Sequence, residues 1–249
     1  MSERVALVTG STSGIGAATA RRLARDGYKV ALHSRRSADI GRRMAGELAG
    51  ASYHQADLAD EQAIRDLVAA VVKHHGRLDV LVNNAGESPR IPHADLKAAT
   101  PAVWRRLLDI NLIAPFLLIT EAEAALRQAG ETGRPACIVN IGTHAGTRPK
   151  GASIPYAAAK AGLHHVTRLL ALSLGPAIRV NCVAPGPFWT PLIPSTMPPE
   201  KVKEFGKQTP MKRPGQPAEC APIYVFLATQ ESSFITGEVF GVTGGNTLP

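Results

Sequence analysis

The chain has 249 residues, of which 45% are hydrophobic and 19% are charged, and its formal net charge is +8. This composition suits one folded domain and excludes a disordered chain. No apolar run approaches the roughly 18 residues of a membrane helix, and the first apolar run reads as a strand rather than a leader, so we expect a cytoplasmic protein with no membrane partner.

The cysteines and the basic charge exclude further classes. Cys137, Cys182 and Cys220 are far apart and form no CxxC pair, which indicates reduced, buried thiols rather than disulfides. The histidines have no metal-ligand spacing, so no metal site is predicted. The positive charge indicates a solvated basic surface with one anionic ligand. Because no aromatic residues interleave the basic ones in a stripe, we expect no nucleic-acid partner.

Strand and helix patterns alternate along the chain. Strand patterns occur in RVALVTG, YKVALHS, ASYHQAD, LDVLVNNAG, ACIVNIG, AIRVNCVAPG and GEVFGVT. Helical spacing occurs in GIGAATARRLARDG, ADIGRRMAGELAG and DEQAIRDLVAAVVKHHG, and then around 100–128, 155–174 and 217–229. This order predicts one α/β domain over 1–249, a Rossmann-like, doubly wound parallel sheet with helices on both faces. Ligands of such sheets bind outside the carboxyl ends of the strands, where we look for the site.

One segment breaks the alternation. Nine prolines lie between positions 185 and 217, and proline cannot continue a central strand. A long irregular insertion at a strand end is typical of a binding loop, so we interpret about 185–217 as a substrate lid. The alternative is a passive surface excursion.

The end of the first strand carries glycines at positions 10, 14 and 16. A glycine-rich turn that leads into a helix lets the backbone approach an anion such as pyrophosphate at the helix N-terminus. The spacing is G-x-x-x-G-x-G rather than G-x-G-x-x-G, but its position after the first strand favours a dinucleotide. The predicted contacts are Gly10, Ser11, Thr12, Ser13, Gly14, Ile15 and Gly16.

The ends of the second and third strands predict which dinucleotide binds. Ser34, Arg35 and Arg36 follow the second strand, where an acid would bind the ribose 2′-hydroxyl of NAD. The arginine fork suits a phosphate, so we predict NADP, with NAD less favoured and Arg35 as the main contact. After the third strand, Asp57, beside Leu58, either accepts a hydrogen bond from the adenine amino group or caps the next helix.

Five motifs in order resemble the classical short-chain dehydrogenase/reductase family over nearly the whole chain. They are TGSTSGIG (9–16), NNAG (83–86), Asn111 in NLIAPF, YAAAK (156–160) and PGPFWT (185–190). The resemblance implies an NAD(P)-dependent oxidoreductase. It also implies cofactor contacts at Asn84, Ala85, Gly86, Tyr156, Lys160, Pro185, Gly186 and Thr190.

The same resemblance implies catalytic roles. Tyr156 and Lys160 are four residues apart, so they share one helix face, but this spacing alone also fits a surface pair. In the family the tyrosine is the proton donor, the lysine lowers its pKa and holds the ribose, and Asn111 positions a water in a proton relay. The family's serine, 13 residues before the tyrosine, is Thr143 here, with Ser153 as an alternative hydroxyl.

The predicted reaction is an NADP-dependent hydride transfer between nicotinamide and a carbonyl or secondary alcohol, as in a carbonyl reductase. His144 and Trp189 are the predicted substrate-pocket residues, although each could instead be solvent-facing or packing. One alternative is a 3-oxoacyl-[acyl-carrier-protein] reductase, for which Arg134 is a candidate contact to the acidic partner. Another is a catalytically weakened NADP-binding regulatory protein.

The resemblance further implies a homotetramer or a dimer. The pairing helices would be those around 155–174 and 100–128, whose LLALSL and FLLI runs offer apolar faces.

Overall fold

A computed structural model of the protein describes residues 4–130, 134–149, 151–193, 197 and 199–246. The strands in these residues are β1 (Val5–Val8), β2 (Lys29–Ser34), β3 (Ser52–Gln55), β4 (Val80–Asn83), β5 (Ala136–Ile141), β6 (Ile178–Pro185) and β7 (Val239–Val242). They form one parallel sheet in the order β3-β2-β1-β4-β5-β6-β7. The chain therefore winds outward from β1 in both directions, which confirms the predicted fold.

Helices cover both faces of this sheet. The helices described are α1 (Gly14–Arg25), α2 (Ala38–Glu47), α3 (Glu61–His75), α4 (Pro101–Leu108), α5 (Ala114–Gly130), α6 (Ile154–Leu174), α7 (Pro199–Lys203) and α8 (Pro217–Ala228). Helices α3, α5 and α6 pack on one face, and α1, α2 and α8 pack on the other. Among these helices, none is long and apolar enough to cross a membrane.

Strands β1, β4, β5 and β6 are buried along nearly their whole length, which explains their apolar sequences, whereas the edge strands β3 and β7 are partly exposed. Successive side chains of a strand point to opposite faces. Leu81 and Ile138 therefore pack with α3 and α5, whereas their neighbours Val82 and Val139 pack with α1 and α8. All four side chains are fully buried. The three cysteines are free and buried in these layers, as predicted.

The helix predicted around 100–128 contains a break that the apolar pattern did not indicate. A π-helical turn, Asp109–Ile113, joins α4 to α5. Asn111 lies in this turn, where its side-chain amide donates to the Leu107 carbonyl at 3.1 Å. A π turn widens the helix by one residue and often marks a functional position.

The proline-rich segment follows directly on strand β6. Strand β6 continues to Pro185, which pairs with Val242 of β7. Proline is accepted there because it is the last residue of the strand, and the ladder continues through the Gly186 N–H, which donates to the Val242 carbonyl at 2.9 Å.

The two ends of the proline-rich segment are tied together at its base. The Trp189 N–H donates to the Gly215 carbonyl at 2.8 Å, and the Gly215 N–H donates to the Pro187 carbonyl at 2.9 Å. Residues 194–196 and 198, which include two of the nine prolines, lie outside the described residues. The base of the segment is thus a fixed part of the fold next to β6.

The amino end of the sheet is held by a buried carboxylate. Asp79, whose side chain is 3% exposed, accepts from Arg77 Nη2 at 2.6 Å and Nε at 2.8 Å. The same carboxylate accepts from the Val5 N–H at 2.9 Å and lies 3.5 Å from Arg4 Nε. It therefore joins β1 to β4 at the amino ends of these two strands.

We predict that Asp79→Ala lowers the free energy of unfolding by about 3 kcal/mol, because it leaves two arginines and a backbone N–H without their acceptor. Urea denaturation measures the change. Glu47→Ala is the control, since it breaks the exposed Arg21–Glu47 pair and should cost less than about 0.5 kcal/mol. If the two variants had the same urea denaturation midpoint, this role of Asp79 at the amino end of the sheet would be wrong.

Candidate active site

A cleft of about 510 Å³ lies along the carboxyl ends of the strands. Its walls contain most of the residues that the sequence predicts for the cofactor. These are Gly10, Thr12, Ser13, Gly14, Ile15, Ser34, Arg35, Arg36, Asp57, Leu58, Asn84, Ala85, Gly86, Tyr156, Lys160 and Thr190. The fold therefore gathers residues from five separate strand ends into one groove.

The glycine turn leaves the start of α1 open to an anion. Gly10 and Gly14 have φ values of +62° and +54°, which favour glycine. A side chain at Gly14 would meet Thr190, 3.4 Å away, across the cleft. The N-cap residue Ser13 makes no side-chain bond to the helix. The first N–H groups of α1 can therefore receive a phosphate group.

Four of the predicted cofactor residues do not line the cleft. The Ser11 side chain is buried beneath the turn, where its hydroxyl accepts from the His33 N–H at 2.8 Å. A side chain at Gly16 would collide with the Gly10 carbonyl, so this glycine serves close packing. Pro185 belongs to β6, and a side chain at Gly186 would lie 2.9 Å from Thr243 Cα. These four residues lie behind the cleft wall and support it by packing.

Hydrogen bonds around Thr9 join the ends of β1 and β4. Its hydroxyl accepts from the Asn84 N–H at 2.9 Å and the Ala85 N–H at 3.0 Å, and lies 3.3 Å from the Val82 carbonyl, to which it donates. The Asn84 side-chain amide donates to the carbonyls of Thr9 at 2.9 Å and Gly10 at 3.1 Å. The NNAG motif thus holds the glycine turn in place.

His33 is a residue of the cleft that the sequence reasoning missed. Its Nδ1 accepts from the Gly10 N–H at 3.2 Å, so its Nε2 carries the proton and donates to the Ala56 carbonyl at 3.1 Å. Burial is the main cause that lowers its pKa to about 4, so the ring is neutral at physiological pH. A histidine at the end of a strand carries no sequence signal for this bridge.

The residues predicted for the adenosine end stand together in the cleft. Ser34 forms a hydrogen bond of 2.8 Å with the Tyr53 hydroxyl, and Arg35 extends from the end of β2. Asp57 lines the cleft, accepts a local bond from the Ala59 N–H at 3.0 Å, and lies 3.9 Å from Arg35 Nη1 through its Oδ2. Asp60 caps α3 instead, so the alternative role of Asp57 as a helix cap is wrong.

Tyr156 and Lys160 lie on one face of α6 at the floor of the cleft. Lys160 Nζ is 6.0 Å from the centre of the Tyr156 ring and donates to the Ile141 carbonyl at 2.7 Å. Burial raises the pKa of Tyr156 to about 12, opposed by a hydrogen bond with Thr143. This finding corrects the expectation that Lys160 lowers the pKa of the phenol. Burial also lowers the pKa of Lys160 to about 8.

The residues around Thr143 explain its position. Its hydroxyl accepts from the Ala145 N–H at 3.3 Å and takes part in the bond with Tyr156. A side chain at Gly142 would collide with His164, so the residue before Thr143 must be small. Neither Thr143 nor the alternative hydroxyl, Ser153, is among the residues that line the cleft, but Ser153 is 1% exposed, whereas Thr143 is bonded to Tyr156, which does line it. Thr143 is therefore the hydroxyl that accompanies Tyr156.

Asn111 lies behind the floor of the cleft and is fully buried. Its Nδ2 donates to the Glu87 carbonyl at 2.9 Å, and its Oδ1 accepts from the Glu87 N–H at 3.3 Å. A side chain at Gly86 would lie 2.8 Å from Asn111 Oδ1 and 3.8 Å from Lys160 Nζ. Asn111 therefore fixes the backbone that follows the NNAG motif beside Lys160.

The two predicted substrate-pocket residues lie outside the walls of this cleft. His144 begins the short 3₁₀ turn after Thr143 and is half-buried. Trp189 is 41% exposed, with its ring centre 6.4 Å from that of Phe205 in the proline-rich segment. In the part of the chain that the structure describes, no group of three His, Cys, Asp or Glu side chains could hold a metal ion.

Comparisons with known proteins agree with this geometry. Residues 10–247 match the family model described as enoyl-(acyl carrier protein) reductase. The chain is 45% identical over 245 residues to a protein assigned as ketoacyl reductase 2 of the granaticin polyketide synthase of Streptomyces violaceoruber, covering 98% of this chain and 96% of that protein. This chain belongs to the short-chain dehydrogenase/reductase family.

Solved structures of other short-chain dehydrogenases/reductases share the fold. The 3-ketoacyl-(acyl-carrier-protein) reductase from Brucella melitensis, complexed with NADH, is 32% identical, with a TM-score of 0.89 and coverage of 98% of this chain and 99% of that one. A variant of the actinorhodin polyketide ketoreductase with NADPH is also 32% identical, with a TM-score of 0.86 and coverage of 98% of both chains.

We predict that Lys160→Met abolishes oxidoreductase activity but raises the free energy of unfolding at pH 7. The net gain is about 2 kcal/mol once the cost of losing the hydrogen bond to the Ile141 carbonyl is subtracted. The folded-state pKa of about 8 lies below the ordinary 10.5, so burying the charged lysine costs stability below pH 8. The gain should therefore fade as the pH rises from 8 to 10.5.

Thermal unfolding at pH 7 and pH 10 measures this gain. Lys97→Met, at an exposed position, is the matched control and should change stability little at either pH. A Lys160→Met variant that is less stable than the wild type at pH 7 would show that the buried ammonium is not a source of strain.

Proposed function

We propose that this short-chain dehydrogenase/reductase reduces a ketone to a secondary alcohol with NADPH as the hydride donor. One observation carries the proposal: the Tyr156 phenol, bonded to Thr143 and followed one turn later by Lys160, lies on the wall of the cleft. A phenol so placed can donate its proton to the carbonyl oxygen as that oxygen becomes an alkoxide.

The cleft residues fit a dinucleotide that carries an extra phosphate. The uncapped start of α1 suits the pyrophosphate, and Asp57 can accept from an adenine amino group. Arg35 and Arg36 both line the cleft after β2, and their guanidinium groups match a 2′-phosphate. When bound, the nicotinamide supplies the hydride, and the protein orients and polarises the reacting groups.

The protonated phenol of Tyr156 is the acid that ketone reduction needs. Burial raises the pKa of its phenol to about 12, so the group holds its proton at neutral pH and is ready to act as an acid. Refilling of the proton through Lys160 and a water held by Asn111 stays a prediction, which the family resemblance supports.

Thr143 is proposed to orient the substrate. Its hydroxyl can donate to the carbonyl oxygen while it accepts from the Ala145 N–H at 3.3 Å. The threonine methyl stiffens the side chain and narrows the pocket in comparison with serine.

The relatives favour a ketoacyl chain as the ketone. The granaticin and Brucella proteins carry ketoacyl names, and the actinorhodin protein is a polyketide ketoreductase. Arg134, the candidate contact for an acidic carrier, lies just before the amino end of β5. The cleft is at the other end of that strand, so a carrier that inserts its substrate would not dock through Arg134. Arg90 and Arg148 are exposed and lie in the loops that follow β4 and β5, at the carboxyl ends of these strands.

A homotetramer or dimer is proposed on the apolar surface of α5 and α6. Phe116, Leu169 and Leu172 are 42%, 50% and 84% exposed, and a second copy could cover them.

The free, buried cysteines support a cytoplasmic location.

We predict that Tyr156→Phe lowers kcat at least about 100-fold, because the proton donor is lost, while NADPH binds as before. Thr143→Ala should lower kcat about 10-fold or more, and Thr143→Ser should retain activity as the matched control. Loss of NADPH absorbance with small ketones and with 3-oxoacyl thioesters, free or on a carrier protein, measures the rate. Tight NADPH binding without turnover of any ketone would favour the regulatory alternative.

We predict that Arg35→Ala weakens NADPH binding about 10-fold while NADH binding does not weaken, because only the 2′-phosphate needs the guanidinium. Arg43→Ala, on the exposed side of α2, is the control and should change neither affinity. Titration calorimetry measures the dissociation constants. If the wild type binds NADH more tightly than NADPH, the proposed cofactor is wrong.

A further inference from the structure

Glu87, the residue after the NNAG motif, lines the cleft and binds two arginines, of which Arg35 also lines it. Its Oε1 accepts from Arg35 Nη1 and from Arg106 Nη2, each at 2.7 Å. Its Oε2 accepts from Arg106 Nε at 3.1 Å. Arg35 is the residue proposed to bind the cofactor 2′-phosphate. The same guanidinium therefore already serves a carboxylate of the protein, and Glu87 is its closer acidic partner, since Asp57 Oδ2 lies 3.9 Å from Arg35 Nη1.

The ion pair between Arg35 and Glu87 crosses the cleft. Arg35 follows β2 and Glu87 follows β4, and β1 lies between these two strands. Two strand spacings are about 10 Å, so the pair reaches over the end of β1. The glycine turn that would hold the pyrophosphate starts at that end of β1. A dinucleotide lying there must meet this pair.

Glu87 keeps its place in the cleft without help from Arg35. Arg106, on α4, holds both carboxylate oxygens, and the hydrogen bonds of Asn111 hold the Glu87 backbone on both sides of its Cα. The bonds from Arg106 also lower the pKa of Glu87, so the carboxylate is charged at neutral pH. When a phosphate draws Arg35 away, a fixed negative charge stays on the facing wall.

We propose that Glu87 is a specificity-determining residue that limits the affinity of the cleft for the cofactor 2′-phosphate by competing with it for Arg35. This inference rests on the proposed use of NADP. Glu87 opposes a phosphate in two ways, since it engages the guanidinium before binding and repels the phosphate afterwards. A cofactor without the phosphate still has to displace the Arg35–Glu87 pair, but it carries no 2′-phosphate for Glu87 to repel.

Arg106 acts on this competition from the other side. By sharing the charge of Glu87, it weakens the attraction between Glu87 and Arg35. Loss of Arg106 should therefore strengthen the hold of Glu87 on Arg35. Opposite effects from two neighbouring substitutions distinguish competition from a merely structural role, which would weaken binding in both variants.

Glu87→Gln is the direct test, because it removes the charge and keeps the size of the side chain and the backbone bonds to Asn111. We expect it to tighten NADPH and 2′,5′-ADP about fivefold, and NADH and 5′-AMP by less, so that the preference for the phosphate increases. Arg106→Gln should weaken NADPH severalfold, and the double variant should resemble Glu87→Gln. Titration calorimetry gives the four dissociation constants.

Glu47→Gln is the matched control, since it removes the same charge from an arginine pair outside the cleft and should change no affinity. Unchanged or weaker NADPH binding in Glu87→Gln would overturn the role of Glu87 while leaving the NADP proposal intact. If wild-type protein binds 2′,5′-ADP no better than 5′-AMP, the NADP proposal itself fails. If Glu87→Gln raised the affinity for all four ligands equally, Glu87 would not determine specificity and the proposal would be wrong.

Discussion

The active cleft depends on how β1 and β4 separate at their carboxyl ends. One hydroxyl, that of Thr9, binds the backbone N–H groups of Asn84 and Ala85, and the Asn84 amide returns two bonds to the β1 turn. These neutral bonds are partly buried between neighbouring strands, so the loss of a partner would leave a polar group poorly satisfied. They fix the distance between the glycine turn and the NNAG backbone, and thereby the width available to a dinucleotide.

The proposed catalytic couple, Tyr156 and Lys160, lies where burial is costly to the stability of the fold. Lys160 is 1% exposed, and the only hydrogen bond described for its ammonium is to a carbonyl, that of Ile141. The same burial that lowers the pKa of Lys160 to about 8 raises the pKa of the Tyr156 phenol to about 12. Both effects follow from one dry environment at the end of β5, which serves proton donation better than it serves stability.

The fold and most of the cleft could be predicted from local patterns, because strand ends in a parallel sheet must converge. Contacts between distant side chains could not. No local signal indicates that Glu87 would meet Arg35 across β1, that His33 would bridge two turns, or that Lys160 would affect the phenol less than burial does. The π turn at Asn111 was also missed, since apolar spacing continues smoothly through it.

The closed base of the proline-rich segment has a consequence for the evolution of this fold. Trp189 and Gly215 are bonded to each other, so the chain between them leaves and re-enters the domain at one point. Lengthening such a closed loop costs little, about 0.6 kcal/mol for each doubling. Insertions and deletions between these two residues can therefore change the length of this segment while Tyr156 and Lys160 stay in register.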